Sequence, residues 1–142
     1  MIRNLTPHTI TLLREDPDGD ITGYAGYGTN AVARQYRALA EYPSEGVARA
    51  TTTVTTVGTL PEAHDVPVTC TRFGFPEGLP AQQREVWLIV SLVTAQQMYD
   101  SGRSDLLTPG ELVRNSEGQI IGCTGFGTMD PARFAAAGSV VA

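Results

Sequence analysis

Apolar and polar positions divide this chain into short extended runs separated by turn signals. HTITLLR, residues 8 to 14, alternates threonine with apolar side chains and predicts a strand. EDPDGD, 15 to 20, predicts a turn. ITGYAGYGTN, 21 to 30, carries three glycines and two tyrosines at short spacing and predicts a mobile loop. NAVARQYRALAEYP, 30 to 43, changes character. Asn30 can cap, alanine and leucine favour helix, Pro43 ends the run, and Val32, Tyr36, Leu39 and Ala40 share one helical face. A short helix is expected there.

The second half reads mostly as strand. EGVARATTTVTTVGTL, 45 to 60, is one long Thr/Val run whose polar positions predict a wet face, and VPVTCTRFG, 66 to 74, is a second strand. FPEGLPAQQ, 75 to 83, reads as a rigid loop around Gly78. EVWLIVSLV, 85 to 93, is the most apolar run and predicts a central strand anchored by Trp87. TAQQMYDSG, 94 to 102, predicts one or two helical turns ending at Gly102. RSDLLTPG, 103 to 110, reads as a loop. ELVR and QIIGC flank NSEG, which predicts a hairpin with Gly118 left-handed. DPARFAAAGSVVA, from 130 on, predicts a short helix and a frayed end. The expected class is α+β, mainly β: an antiparallel sheet of five or six strands with one or two short helices.

Composition adjusts this picture in three ways. At 142 residues, with 42% hydrophobic and 18% charged residues, a single globular domain spanning 1–142 is expected. No apolar run approaches the roughly 20 residues needed to cross a bilayer, and MIRNLTPH has no apolar signal region, so a cytoplasmic location without membrane contact is expected. A net charge of −5 weighs against general nucleic-acid binding. All ten cationic residues are arginine, so every positive charge is a planar fork suited to phosphate or carboxylate. Cys70 and Cys123 form no CxxC pair and sit in apolar runs, so buried free thiols are expected. His8 and His64 lack metal-ligand spacing, so neither a metal nor a cofactor is expected.

NLTPHTI (4–10), GVAR (46–49), FGFPEGLP (73–80), LIVSLVTAQ (88–96) and RSDLLTPGELVRNSEGQIIGC (103–123) occur in this order along most of the chain. In these segments the chain resembles a family of small proteins encoded by actinobacteria and their phages. It departs from that family at 17 to 44, where a short connection is usual, and an insertion is expected there. The resemblance implies a phage or prophage origin and hence the cytoplasm of a bacterial host. By analogy of genomic habit and size it points to anti-defence proteins that sequester nucleotide signals such as cyclic ADP-ribose isomers.

Candidate chemistry follows from a few residues. Asn4, Thr6 and His8 surround Pro7, either as a polar edge that meets a ligand or as a turn that starts the first strand. Arg103, Ser104 and Asp105 either brace one loop or present an oriented guanidinium to an anion, and Asp105 could instead bridge to Arg114. Ser91 interrupts the most apolar strand and needs a partner or a pocket. GYGT (26–29) and GFGT (125–128) share a Gly-aromatic-Gly-Thr form but match no nucleotide fingerprint, while Tyr24, Tyr27 and Phe126 offer rings for a base. There is no GxSxG elbow.

The leading expectation is therefore a non-enzymatic, homo-oligomeric binding protein that traps a nucleotide-derived signal. Arg103 and Arg114 would meet phosphates, Tyr24 or Tyr27 would stack on a base, and Asn4, His8, Ser91 and Asp105 would complete the site. Two alternatives stand beside it. One is a small hydrolase or lyase using His8 and Asp105 as acid and base. The other is a structural or protein-interaction module.

Overall fold

The computed structural model describes residues 1–26 and 31–136. The chain is mainly β, with two short helices. In chain order the strands are β1 (Ile2–Asn4), β2 (Ile10–Glu15), β3 (Ile21–Ala25), β4 (Val32–Tyr42), β5 (Arg49–Leu60), β6 (Val66–Glu77), β7 (Trp87–Ile89), β8 (Leu106–Pro109), β9 (Leu112–Arg114), β10 (Ile120–Cys123) and β11 (Phe126–Gly127). Helix α1 is Leu92–Gln97 and α2 is Pro131–Ala136. The expected five or six strands are thus eleven among the described residues. Most of the added ones are short pieces produced by chain direction changes.

They form three sheets. The first has the order β1-β7-β8-β11, with β1, β7 and β8 parallel and β11 antiparallel to β8. The second is a closed five-stranded barrel, β10-β2-β4-β3-β9, antiparallel except where β10 runs beside β2. The third is an antiparallel ribbon of only two strands, β5 and β6.

Three expectations change here. Within the expected 30–43 helix, Val32–Tyr42 is a strand: β4 pairs with β2 on one side and β3 on the other. Alanine and leucine favour helix locally, but two strand partners satisfy its backbone and Tyr36 enters the barrel core, so tertiary pairing overrides propensity. Residues 21–25 are a strand and not a loop, and 106–109 form β8 inside the expected RSDLLTPG loop. The most apolar run is central as expected, between β1 and β8, yet only Trp87–Ile89 is strand. Ser91 ends the run by capping α1, its hydroxyl accepting from the Thr94 backbone N–H at 3.2 Å.

Two cores result. Leu5, Ala48, Leu88, Val90 and Ala95 pack between the first sheet, α1 and the root of the ribbon. Leu13, Tyr36 and Val113 fill the barrel. A five-stranded barrel is narrow, and glycine makes room where strands crowd the filling. A Cβ on Gly23 would lie 2.4 Å from Val113 Cγ1, and one on Gly122 would lie 2.6 Å from the Thr11 carbonyl oxygen. The 17–44 segment is therefore built into the barrel: it supplies β3, β4 and the central Tyr36.

Candidate functional site

The polar turn at the N-terminus has a mechanical explanation. Asn4 is fully buried, and its side chain is saturated. Nδ2 donates to the carbonyls of His8 and Tyr42, both at 2.7 Å, and Oδ1 accepts from the Thr6 N–H at 2.9 Å and the Thr6 hydroxyl at 2.6 Å. It ties the Thr-Pro-His turn to the end of β4. His8 is exposed and contributes its carbonyl to this knot.

Arg103 and Asp105 form a brace of their own. The guanidinium donates Nε to Oδ1 at 2.9 Å and Nη2 to Oδ2 at 2.7 Å, while Nη1 donates to the Pro80 carbonyl at 2.8 Å. Asp105 is buried and Arg103 nearly so at its side chain. All three guanidinium nitrogens are engaged, so Arg103 is held as a strut between β8 and the 78–86 loop. Arg114 is separate from it. Its Nη1 donates to the Gly118 carbonyl at 2.9 Å across the NSEG turn, and its strand position lies opposite Tyr24. The alternative Asp105–Arg114 bridge does not form: Asp105 holds Arg103, and Arg114 reaches the Gly118 carbonyl. Tyr27 lies outside the described residues. Of the residues singled out in sequence, the fold joins Arg103 with Asp105 and Tyr24 with Arg114, and it spends Asn4 and Ser91 on backbone.

A groove of about 680 Å³ lies elsewhere, along one face of the barrel. Its lining includes Arg14 and Glu15 from β2, Arg34 and Tyr36 from β4, Glu111, and Phe126 from β11. None of the described residues Asn4, His8, Tyr24, Ser91, Arg103, Asp105 and Arg114 lines it. The local reason is strand alternation. Glu15 lies opposite Tyr36 in register, and Val32, Arg34 and Tyr36 recur every second residue on one face of β4. Arg34 Nη1 meets Glu15 Oε1 at 2.8 Å, and this bond holds the guanidinium pKa above its ordinary value. Beside it, Arg37 pairs with Asp16. Phe126 packs edge-on against Tyr42, ring centroids 6.2 Å apart.

Tyr36 is 1% exposed. Burial, followed by the Glu15 charge, raises its phenol pKa above 10.0 and keeps it protonated. Its hydroxyl has no hydrogen-bond partner among the described residues, and no buried side-chain oxygen or nitrogen there lacks one. Tyr36 lines the groove. The groove thus offers guanidinium donors, two carboxylates and a phenol beside an aromatic ring.

No protein-family model matches the chain, no curated protein matches it, and no solved structure matches it.

Among the described residues no group of three or more His, Cys, Asp or Glu could hold a metal ion. Both cysteines are free; Cys123 is buried in the barrel, but Cys70 is half-buried on the ribbon, where no core covers it. No helix among the described residues is long and apolar enough to cross a membrane. The groove residues were hidden in sequence because 30–43 reads as helix. Taken as a strand, the i, i+2, i+4 spacing of Val32, Arg34 and Tyr36 places them together.

Proposed function

We propose that the protein is a non-enzymatic, homo-oligomeric binding protein that sequesters a nucleotide-derived small molecule in the barrel groove. The phosphate-meeting role passes from Arg103 and Arg114 to Arg14 and Arg34, because the Arg103 donors are already spent. The observation that carries this reading is the groove's mixed lining. A volume of about 680 Å³ suits a nucleotide-sized ligand. Arg14 and Arg34 suit phosphate, Glu15 and Glu111 accept from sugar hydroxyls or base amines, and Phe126 offers a ring. Glu15 holds the Arg34 fork in place until a ligand anion takes over part of it.

The resemblance to actinobacterial and phage proteins supports an anti-defence setting in the cytoplasm of a bacterial host, with a cyclic nucleotide or cyclic ADP-ribose isomer as the trapped signal. The segment that departs from that family, 17 to 44, supplies Ala25, Gly26, Val32, Arg34, Tyr36 and Leu39 to the groove. Ligand choice would then be specific to this chain.

Isothermal titration against a panel of cyclic nucleotides and cyclic ADP-ribose isomers tests the reading. Binding tighter than about 100 μM by the wild type, weakened in Arg34→Gln, is expected. No heat from any member of the panel overturns it. Chromatography of the heat-released ligand separates trapping from turnover: intact ligand supports a sponge, and product supports a hydrolase or lyase.

A further inference from the structure

The charged lining of the barrel groove is two arginines and two glutamates, so its formal charges cancel. These groups are not equally free. Glu15 holds Arg34 at 2.8 Å. Arg14 and Glu111 are exposed, and among the described residues their side chains have neither a hydrogen-bond nor an ion-pair partner. One guanidinium and one carboxylate are therefore left for a ligand.

The two stand on different elements. Arg14 is on β2, opposite Arg37 of β4 in register. Glu111 precedes β9 in a corner fixed by backbone. The Thr124 N–H donates to the Glu111 carbonyl at 3.0 Å, and the Gly110 N–H donates to the Gly125 carbonyl at 2.8 Å. That corner leads directly into Phe126, so a carboxylate and an aromatic ring enter the groove from adjoining positions. After Glu15, Glu111 is the next carboxylate whose charge acts on both Arg34 and the Tyr36 phenol.

This arrangement limits both parts of a nucleotide. A single phosphodiester is matched by Arg14 and by the Arg34 donors that Glu15 leaves. A second anionic phosphate would find no further unpartnered guanidinium in the lining and would add repulsion with Glu111. The base is limited by the carboxylate, which only accepts hydrogen bonds. Guanine turns two neighbouring donors, its ring N–H and its exocyclic amine, to one carboxylate as a bidentate pair. Adenine sets an amine beside a ring acceptor, and the uracil donor lies between two carbonyls. Each leaves a carboxylate oxygen facing an acceptor.

We infer that the groove selects a cyclic mononucleotide carrying guanine and a single phosphodiester, with Glu111 accepting both guanine donors, Phe126 against the base and Arg14 on the phosphate. This rests on the nucleotide-trapping reading above and narrows it. Cyclic ADP-ribose isomers, with their diphosphate, fall outside it.

Isothermal titration of the full chain with cyclic GMP, cyclic AMP, cyclic UMP and a cyclic ADP-ribose isomer tests it. Cyclic GMP is expected to bind tightest, on the order of tenfold over cyclic AMP. Glu111→Gln exchanges one acceptor for a donor, which suits the amine and ring acceptor of adenine and not the two donors of guanine. It should lower cyclic GMP affinity about tenfold and bring cyclic AMP level with it or ahead. Arg14→Gln should weaken both alike and leave their ratio unchanged. Circular dichroism confirms that each variant folds; both positions are exposed, so neither substitution opens a core. Equal or tighter binding of cyclic AMP, cyclic UMP or the cyclic ADP-ribose isomer by the wild type overturns this inference and leaves the trapping reading standing. A cyclic GMP preference that Glu111→Gln does not move does the same. No heat from any of these ligands overturns the inference, and no heat from the whole panel above overturns the trapping reading with it.

Discussion

Arg103 and Asp105 grip each other through two parallel hydrogen bonds, of 2.9 and 2.7 Å, with the Pro80 carbonyl taking a third guanidinium donor. A charge pair this well buried is costly to break from one side. Asp105→Ala strands the Arg103 charge and should destabilise the fold by about 3 kcal/mol, read from urea unfolding. Replacing both residues with apolar side chains of similar volume should cost much less. If the single and double variants lose the same stability, the pair is not a brace. Ligand affinity of any folded single variant should match the wild type.

Asn4 predicts an unusual equivalence. Asn4→Ala abandons the part-buried carbonyls of His8 and Tyr42 and the buried Thr6 N–H, at about 3 kcal/mol. Asn4→Asp keeps the acceptor but turns a carboxylate oxygen toward those two carbonyls. At neutral pH it should be at least as destabilising as the alanine variant, which thermal unfolding of the two side by side will measure.

Tyr36 gives a pH signature. Folding holds its proton more tightly than the unfolded chain does, because burial disfavours the phenolate. Its contribution is intact below pH 10.0, the ordinary value, and is lost as pH rises through the elevated one. Tyr36→Phe should leave neutral-pH stability nearly unchanged, since the hydroxyl has no partner among the described residues, and should flatten the alkaline decline. An identical decline in both proteins would place the phenol in an ordinary aqueous environment.

The barrel glycines should respond differently to repair. Gly23→Ala and Gly122→Ala should each destabilise by about 2 kcal/mol. A Cβ at Gly23 meets the Val113 side chain, so Val113→Ala should recover part of the loss. At Gly122 the nearest atom is a backbone oxygen of Thr11, with the Leu13 side chain almost as close, so a side-chain change cannot relieve the backbone part of the clash. Denaturant midpoints of the single and double variants decide this.

Local chemistry made much of this fold legible. The Thr/Val runs 45–60 and 66–74 read directly as two strands, although the sheet face expected to be covered is exposed too, and Gly118 at φ +80 closes the hairpin expected from NSEG. Gly102, also left-handed, ends the helical turns that follow Ser91. What stayed hidden depends on partners distant in sequence. Ala33, Arg34, Ala38 and Leu39 look helical until β2 and β3 lie on either side of them. Gly23 looks like loop punctuation until Val113 is beside it. The groove inherited that error, because its face exists only once β4 is extended. Arg103 and Asp105 were recognised as a unit, but whether they brace or bind turned on Pro80, whose carbonyl no local pattern places there.

The strands that close this protein come from opposite ends of its synthesis. Asn4 pairs with Ile89, and Leu12 in β2 finds Cys123 in β10. A nascent chain on the ribosome can pair β2, β3 and β4 early, but it stays an open sheet until residue 123 has left the exit tunnel. The Leu13 and Tyr36 side chains wait exposed through that interval. Translation pauses late in the message should therefore govern how much chain is captured by chaperones, and early pauses should matter little.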